Sequence, residues 1–436
     1  MNHLTSAWRR MTAGGMAKVL SLTSVATLVR MCAGMVSTKV VAMLVGPAGV
    51  ALLGQLGNFT GIVQTLAGGG ICNGITKYVA QNKDNESVTR SYLSAALKIT
   101  LVCSVLCGLL MIAAHRWLSE LIMLTPDYGY VFVVFGFTAV LYALNAGVLA
   151  ALNGFKQFRT FVVVSIVNSI VGVLFTVSLV LLFGLRGALI SYVTYQSVVF
   201  AVTVWMLRRS LWMRWSLLSV RFDRSYLRRY GGYAMMAVVT TLMVPLVQML
   251  LRGYVMADIS GTQAGIWEGM QKISSMYLMV VTTSLSVYYL PRLSEIKDAT
   301  ELRSEIGNAF RLVIPLLVVA FLIIYLSRYF IISILFTADF TSMAHLFAWQ
   351  MGGDLIRIAS WLLAFVMVAK AMTVHYVVSE VLSALCYLAL GYIFVSFNGI
   401  VGLVQANLLN YILYLCAMAM IFRRLLFAPE KYKLDG

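Results

Sequence analysis

The stretch LFAWQMGGDLIRIASWLLAFVMVAK, residues 346–370, has the length and apolar composition of a helix that crosses a membrane. Two charged residues, Asp354 and Arg357, nevertheless lie near its middle. A charge at the bilayer centre costs about 2.5–3.5 kcal/mol on insertion scales, so such residues usually face a protein interior or a water-filled cavity. Asp354 and Arg357 are three residues apart and share one face of the predicted helix. They predict either a structural ion pair or part of a functional site.

The rest of the chain has the same membrane-like composition. Of its 436 residues, 61% are hydrophobic and 11% are charged, whereas soluble domains carry about 25% charged residues. Mean hydropathy is +0.88, and apolar runs fill nearly the whole length, which predicts an all-α integral membrane protein. The six cysteines form neither a disulfide framework nor a metal motif, and the four histidines are scattered. We therefore expect no metal, no cofactor and no catalytic residue.

Hydropathy divides the chain into twelve predicted membrane spans. They lie at approximately 17–45, 49–76, 91–114, 129–153, 160–183, 187–207, 230–256, 263–290, 306–326, 342–369, 375–397 and 400–422. With this division, 25 of the 33 lysines and arginines lie on the side of the two termini. Four are assigned to the other, outer side: Arg116, Arg186, Arg252 and Arg328. The positive-inside rule then places both termini in the cytoplasm. The net charge of +17 is a consequence of this topology, and no nucleic-acid partner is expected.

The two halves of the sequence are copies of each other. AGVALLGQ (48–55) matches AGIWEGMQ (264–271), TPDY (125–128) matches TADF (337–340), and GLRGAL (184–189) matches GIVGLV (399–404). Each copy holds six predicted spans, an even number, so both enter the membrane from the same side as a parallel repeat. This predicts two six-helix bundles with a cavity between them, an arrangement that transporters use for alternating access. The predicted domains are an N-terminal lobe (1–207), a basic cytoplasmic linker (208–229), and a C-terminal lobe with a basic tail (230–436).

Other charged residues also fall inside predicted spans. Arg30 and Lys39 are nine residues apart and point to opposite faces of the first helix; Arg30 is expected in the cavity, whereas Lys39 either lines it or extends to the interface. Glu268 and Lys272 are four residues apart and could neutralise each other. Glu380 lies close to a cytoplasmic helix end, where it could simply face water. The total of four intramembrane cations against three carboxylates favours an anionic substrate over a cationic one.

Amide and aromatic side chains accompany these charges. Gln55 and Asn58 share a face of the second span, and Gln271 occupies the repeat-related position on the eighth. Amides and aromatic rings suit sugars, which offer hydroxyl groups and apolar ring faces, although most aromatic residues in membrane helices serve packing or anchoring.

Several of these blocks resemble a known family. GPAGVALLGQLGNFTGIVQTLAGGGICNGITKYVAQNKDN, GIWEGMQKISSMYL, SVYYLPRLSEIKD and LFAWQMGGDLIRI are similar to the Wzx-type polysaccharide-repeat flippases of Gram-negative bacteria. These belong to the multidrug/oligosaccharidyl-lipid/polysaccharide exporter superfamily, and the members that carry enterobacterial common antigen are the most similar. The resemblance covers essentially the whole chain. By position, Lys39 and the Asp354–Arg357 pair match what is expected of that family.

The resemblance implies a fold, a substrate and a location. The fold would be twelve helices in two six-helix lobes in the bacterial inner membrane. The substrate would be an undecaprenyl-pyrophosphate-linked oligosaccharide, such as a repeat unit of enterobacterial common antigen or O-antigen, moved from the cytoplasmic to the periplasmic leaflet. Members have a cationic lumen and, in some cases, ion-coupled antiport driven by protons or sodium. Membrane lipids, a polysaccharide polymerase and a chain-length regulator are the expected partners.

The sequence thus predicts two sets of site residues. Those expected to bind the pyrophosphate and glycan are Arg30, Lys39, Gln55, Asn58, Gln271, Lys272 and Arg357. Those expected to couple an ion are Asp354, Glu268 and Glu380.

Two alternative functions remain open from the residues alone. An ion-coupled drug or cation antiporter of the same superfamily would share the fold, but the spans of the N-terminal half contain no carboxylate to attract a cation. A membrane glycosyltransferase or polymerase of the same pathway usually needs a substantial outer loop. The longest outer connection predicted here, roughly 115–128, is short and holds no carboxylate pair suited to catalysis.

Overall fold

The computed structural model describes residues 2–210, 212, 220, 224–370 and 372–427, and these residues form helices with no β-strand among them. The rest of the predicted basic linker and the tail after 427 lie outside the described residues. The α-helices are α1 (Asn2–Ala67), α2 (Cys72–Asn82), α3 (Glu86–Ala113), α4 (His115–Met123), α5 (Gly129–Gly154), α6 (Phe158–Leu207), α7 (Arg224–Asp258), α8 (Gly261–Ser284), α9 (Leu290–Glu295), α10 (Ala299–Leu326), α11 (Arg328–Leu335), α12 (Phe347–Ala369), α13 (Thr373–Ile421) and α14 (Arg423–Phe427).

Three of the longest helices bend sharply at a glycine. Gly46 in α1, Gly184 in α6 and Gly399 in α13 have φ values of 69°, 55° and 56°, a left-handed region that glycine adopts without steric cost. Each of these helices therefore consists of two helical segments. The three bends lie within connections that hydropathy predicts between successive spans.

One predicted span is too long. The second was expected at 49–76, but α1 ends at Ala67 and a new helix begins at Cys72. Gly69 and Gly70 have φ values of 67° and 64° between them, so the glycine run terminates the helix where an apolar pattern alone continues it.

Seven helical segments among the described residues are long and apolar enough to cross a membrane. They are Ala26–Ala67, Glu86–Ala113, Pro126–Gly154, Phe158–Leu207, Ala299–Leu326, Phe347–Ala369 and Thr373–Ile421. Several of them are far longer than the roughly 20 residues that one crossing needs. The chain is a multi-pass membrane protein, and the division into twelve spans stays a prediction.

The chain folds into two compact units. Unit 1 comprises residues 1–44 and 56–241. In it, α5 packs between α3 and α6, and a cluster of tyrosine rings closes one end of the core, where Tyr78 stacks on Tyr92 at 4.6 Å between ring centroids and Tyr230 meets Tyr78 edge-on at 5.4 Å. The burial of these rings fixes α2, α3 and α7 against one another.

Unit 2 comprises residues 45–55 and 242–436. Its core forms where α12 packs along α13 and where α9 and α10 contact α12, around fully buried side chains such as Leu293, Leu302 and Leu362. The segment 45–55, which contains the bend of α1 at Gly46 and the first residues after it, belongs to this unit. It packs on α8, because a Cβ atom at Gly265 would overlap the backbone of Pro47.

This close contact makes Gly265→Ala a test of the packing of unit 2. We expect the variant to lower the thermal stability of the detergent-solubilised protein, because overpacking typically costs about 1–3 kcal/mol. Gly307→Ala is the matched control, since Gly307 also lies within a helix but has no atom within 4 Å of the added methyl group. Fluorescence-detected size-exclusion chromatography after heating measures both. Equal melting temperatures would contradict the close contact.

Candidate functional site

Asp354 is the centre of a buried polar cluster in unit 2. Its side chain is 0% exposed. Its Oδ2 atom accepts hydrogen bonds from Ser274 Oγ at 2.6 Å, Tyr277 OH at 2.5 Å and Gln350 Nε2 at 3.0 Å. Ser274 and Tyr277 lie three residues apart on α8, so one face of α8 supplies two donors to a carboxylate on α12. Three donors on a single oxygen satisfy much of the acceptor capacity that burial would otherwise leave unmet.

The other carboxylate oxygen of Asp354 faces Arg357. Within the described residues Asp354 Oδ1 has no hydrogen-bond partner, and Arg357 Nη1 is 4.0 Å away. The Arg357 guanidinium lies over two aromatic rings, 4.5 Å from the centroid of Trp361 and 5.2 Å from that of Tyr411. The pair predicted from sequence is brought together, but loosely. The arginine is held by cation–π contacts as well as by the ion pair.

Gln271 joins this cluster from α8. Its Nε2 donates to Gln350 Oε1 at 3.3 Å, and Gln350 in turn donates to Asp354. The predicted glycan-binding amide is therefore connected through one side chain to the predicted coupling carboxylate.

Glu268 is paired differently from the sequence-based expectation. Its carboxylate accepts a hydrogen bond from Arg252 Nη2 on α7, not from Lys272 one turn further along α8. Arg252 is 1% exposed, stacks 5.3 Å from the ring centroid of Trp267 and donates to Gln55 Oε1 at 3.3 Å. Helix–helix contact brings Arg252 to Glu268, which spacing along a single helix cannot reveal.

Hydropathy did not predict the burial of Arg252. It lies near the end of a predicted span and was assigned to the outer membrane face, whereas the structure buries it completely. The one sequence signal that could have found it is a carboxylate, Glu268, at the corresponding depth of the next span. Gln55, predicted to bind substrate, is also buried and supports Arg252.

Glu380 is not merely solvated. It accepts a hydrogen bond from Tyr414 OH at 2.8 Å, across the two segments of α13. Tyr414, Ser379 and Asn410 line a cavity of about 350 Å³. Glu380 is thus partly exposed and also has a protein partner.

The remaining predicted residues lie in unit 1. Arg30 is exposed, Lys39 and Asn58 are half-buried, and the Asn58 Nδ2 atom has no partner among the described residues. Arg30 is within electrostatic range of Tyr195.

Unit 1 also contains a buried hydrogen-bond network that was not predicted. Asn145 Nδ2 donates to Gln196 Oε1 at 2.7 Å, Gln196 Nε2 donates to Tyr195 OH at 3.0 Å, and Thr203 Oγ1 donates to Asn145 Oδ1 at 3.1 Å. Amide side chains inside the predicted fourth and sixth spans were the available signal, since uncharged polar residues in membrane helices commonly bond across helices.

Solved transporter structures share this fold. An inward-facing multidrug resistance MATE family transporter of the MOP superfamily aligns with a TM-score of 0.73 at 11% identity, covering 91% of this chain and 95% of that one. An outward-facing MATE family transporter gives 0.68 at 14% identity, covering 96% and 97%. A MOP superfamily transporter from Pyrococcus furiosus gives 0.68 at 13%, covering 94% and 96%. At such identities the likeness establishes the MOP fold alone.

Sequence comparison is more specific. Proteins named lipid III flippase from Escherichia coli (strain K12) and Shigella flexneri are each 29% identical to this chain over 413 residues, which is 94% of this chain and 99% of the relative. The family model described as "Polysaccharide biosynthesis protein" matches residues 16–297, more than half of the chain. The predicted resemblance to polysaccharide flippases is confirmed, and the chain belongs to the polysaccharide biosynthesis protein family.

Proposed function

We propose that the protein is a flippase that moves an undecaprenyl-pyrophosphate-linked oligosaccharide, a repeat unit of enterobacterial common antigen or O-antigen, across the bacterial inner membrane. Movement is from the cytoplasmic to the periplasmic leaflet. The observation that carries this proposal is the similarity, over 94% of the chain, to two proteins named lipid III flippase. A polysaccharide polymerase and a chain-length regulator would act on the delivered units.

The balance of charge within the predicted spans supports an anionic substrate. With Arg252 included, these spans hold five cations against three carboxylates. The five are Arg30, Lys39, Arg252, Lys272 and Arg357. A pyrophosphate head group needs compensating positive charge when it leaves water. A drug or cation antiporter would need unpaired carboxylates instead, and the N-terminal spans contain none.

We propose twelve membrane helices arranged as a parallel repeat, with both termini in the cytoplasm. Backbone details 215 residues apart support the repeat. Gly184 and Gly399 have nearly the same backbone angles, with φ 55° and ψ −130° against φ 56° and ψ −139°. Three residues after each, Gly187 and Gly402 lie against the carbonyl groups of Leu179 and Phe394 respectively. The helix α3 (86–113) and the helix α10 (299–326) are also of equal length.

We assign ion coupling to Asp354 and anion binding to Arg357. Because the two groups are only 4.0 Å apart, an anion that approaches Arg357 competes with Asp354 for the guanidinium. An Asp354 carboxylate displaced from Arg357 would bind a proton or a sodium ion more readily. Substrate and ion would thus exchange at neighbouring groups during an alternating-access cycle.

Complementation tests the function directly. An E. coli K12 strain that lacks its own lipid III flippase should regain surface polysaccharide when it expresses this chain, measured by antibody staining of enterobacterial common antigen. Cells with empty vector give the background staining. The amount of this protein in the membrane fraction shows whether it has inserted. Normal membrane insertion without surface polysaccharide, together with increased efflux of ethidium, would favour the cation antiporter and contradict the proposal.

A further inference from the structure

Lys272 has a carboxylate one helical turn before it and yet forms no ion pair with it. We propose that Arg252 and Gly54 are positioning residues that hold Glu268 away from Lys272, so that the Lys272 ammonium stays available to bind a pyrophosphate group. This assignment rests on the proposed function, because it names the head group of that substrate as the ligand. It gives roles to two residues that the sequence did not single out and a different role to Glu268.

The arrangement departs from what spacing alone favours. Glu and Lys at positions i and i+4, with Glu first, normally attract each other along a helix. Here Glu268 turns to Arg252 instead. Arg252 is a stronger partner for a buried carboxylate, since its planar guanidinium keeps its charge and is less strongly hydrated than an ammonium group. Glu268 is 8% exposed and Arg252 is 1% exposed, so the pair is shielded from water.

Gly54 provides the space that this arrangement needs. A Cβ atom at position 54 would lie 2.5 Å from Glu268 Cδ and 2.7 Å from Glu268 Oε2, both far inside van der Waals contact. Any side chain there would displace the carboxylate. The segment 45–55 therefore contributes to the position of a charge on α8.

Lys272 is consequently the charged residue of the cluster that has no ion pair among the described residues. It is within electrostatic range of both Glu268 and Arg252, and no hydrogen bond or ion pair to its ammonium group occurs among the described residues. Two cations and one carboxylate leave a net charge of +1, and the partly exposed residue of the three is Lys272. A lysine ammonium binds phosphate as a point charge.

The test is binding of farnesyl pyrophosphate to the purified full-length protein in nanodiscs, by isothermal titration calorimetry. Wild type should bind, and Lys272→Ala should bind about tenfold or more weakly, as expected for loss of a charge-assisted contact. Arg252→Met should weaken binding comparably, because Glu268 then pairs with Lys272. The double variant Arg252→Met with Glu268→Gln should recover to within about threefold of wild type, because no carboxylate remains to neutralise Lys272.

Arg328→Met is the control for loss of an arginine elsewhere in the chain. It removes an arginine stacked on Tyr325 and Tyr329 and should bind as wild type.

Gly54→Ala provides a second route to the same effect if Arg252→Met folds poorly. The added methyl group displaces the Glu268 carboxylate without removing any charge, so this variant should also bind weakly. Inorganic pyrophosphate should rank the variants in the same order, since the head group carries the charge. An order seen only with the farnesyl chain would overturn the assignment to Lys272.

Other outcomes distinguish a failure of the positioning role from a failure of the proposed substrate chemistry. If the double variant binds as weakly as Arg252→Met while its melting temperature matches wild type, Arg252 contacts the ligand itself and the positioning role is wrong. If Arg252→Met and Gly54→Ala both bind as tightly as wild type, the positioning role is also wrong. If wild type binds neither probe, the proposed substrate chemistry fails, and this inference fails with it.

Discussion

We expect Asp354→Asn to abolish export of the lipid-linked oligosaccharide while the protein still inserts into the membrane. The carboxylate accepts three hydrogen bonds on Oδ2 and faces Arg357 with Oδ1. An asparagine can present its oxygen to the three donors, but its NH₂ group then faces the guanidinium, donor against donor. The variant has neither the negative charge that balances Arg357 nor a group that exchanges a proton or cation. Hydrogen bonds to charged groups contribute about 1.5–3 kcal/mol each, so a large effect is expected.

The measurement is surface polysaccharide in the complemented strain, normalised to the amount of protein in the membrane. Asp339→Asn is the matched control, because Asp339 is exposed and accepts a long 3.4 Å hydrogen bond from Thr337. We expect that control to export normally. Export by Asp354→Asn at the wild-type level would remove Asp354 from the coupling role.

Arg357→Ala should also abolish export, and for a separable reason. Its removal leaves the three hydrogen bonds to Asp354 Oδ2 intact, so the fold should survive. What is lost is a partly buried cation held over Trp361 and Tyr411. Binding of an anionic head group should weaken by about 1.5–3 kcal/mol, roughly tenfold to a hundredfold. Arg357→Lys keeps the charge and loses the planar stacking, so we expect intermediate export.

A charge-swapped double variant, Asp354→Arg with Arg357→Asp, tests whether the two residues serve only as an ion pair. In the swap, an arginine with donors only would meet the donors of Ser274, Tyr277 and Gln350. We therefore expect the swap to fail even when its membrane level is normal. Restored export would mean that the pair only stabilises helix packing and that the substrate is bound elsewhere.

Features local to one helix were predictable from the sequence. The apolar runs predicted the long helices, and the three-residue spacing of Asp354 and Arg357 predicted that they share a face. The bends at Gly184 and Gly399 fall where a connection was expected. Arg186 and Gly187 beside the first bend, and Asn398 and Gly402 beside the second, interrupt the apolar pattern.

Features that depend on contact between helices were not predictable in this way. Ser274 and Tyr277 became partners of Asp354 only because α8 packs on α12, and Arg252 became the partner of Glu268 only because α7 packs near α8 and the segment 45–55. Helical spacing ranks Lys272 as the nearest cation to Glu268. In the folded protein Glu268 pairs with Arg252 instead. An ion pair between residues four apart contributes only about 0.2–0.5 kcal/mol in an isolated helix, so contacts between helices can outweigh it.

The most direct test of the central claim is translocation by the purified protein in proteoliposomes. Vesicles would carry a fluorescent undecaprenyl-pyrophosphate-linked oligosaccharide in both leaflets, and a membrane-impermeant glycosidase added outside would trim the glycan that it can reach. If the protein is a flippase, wild type should let the enzyme trim nearly all of the substrate, whereas Asp354→Asn vesicles should stop at the fraction initially in the outer leaflet. A wild-type plateau equal to that of protein-free vesicles would contradict the account.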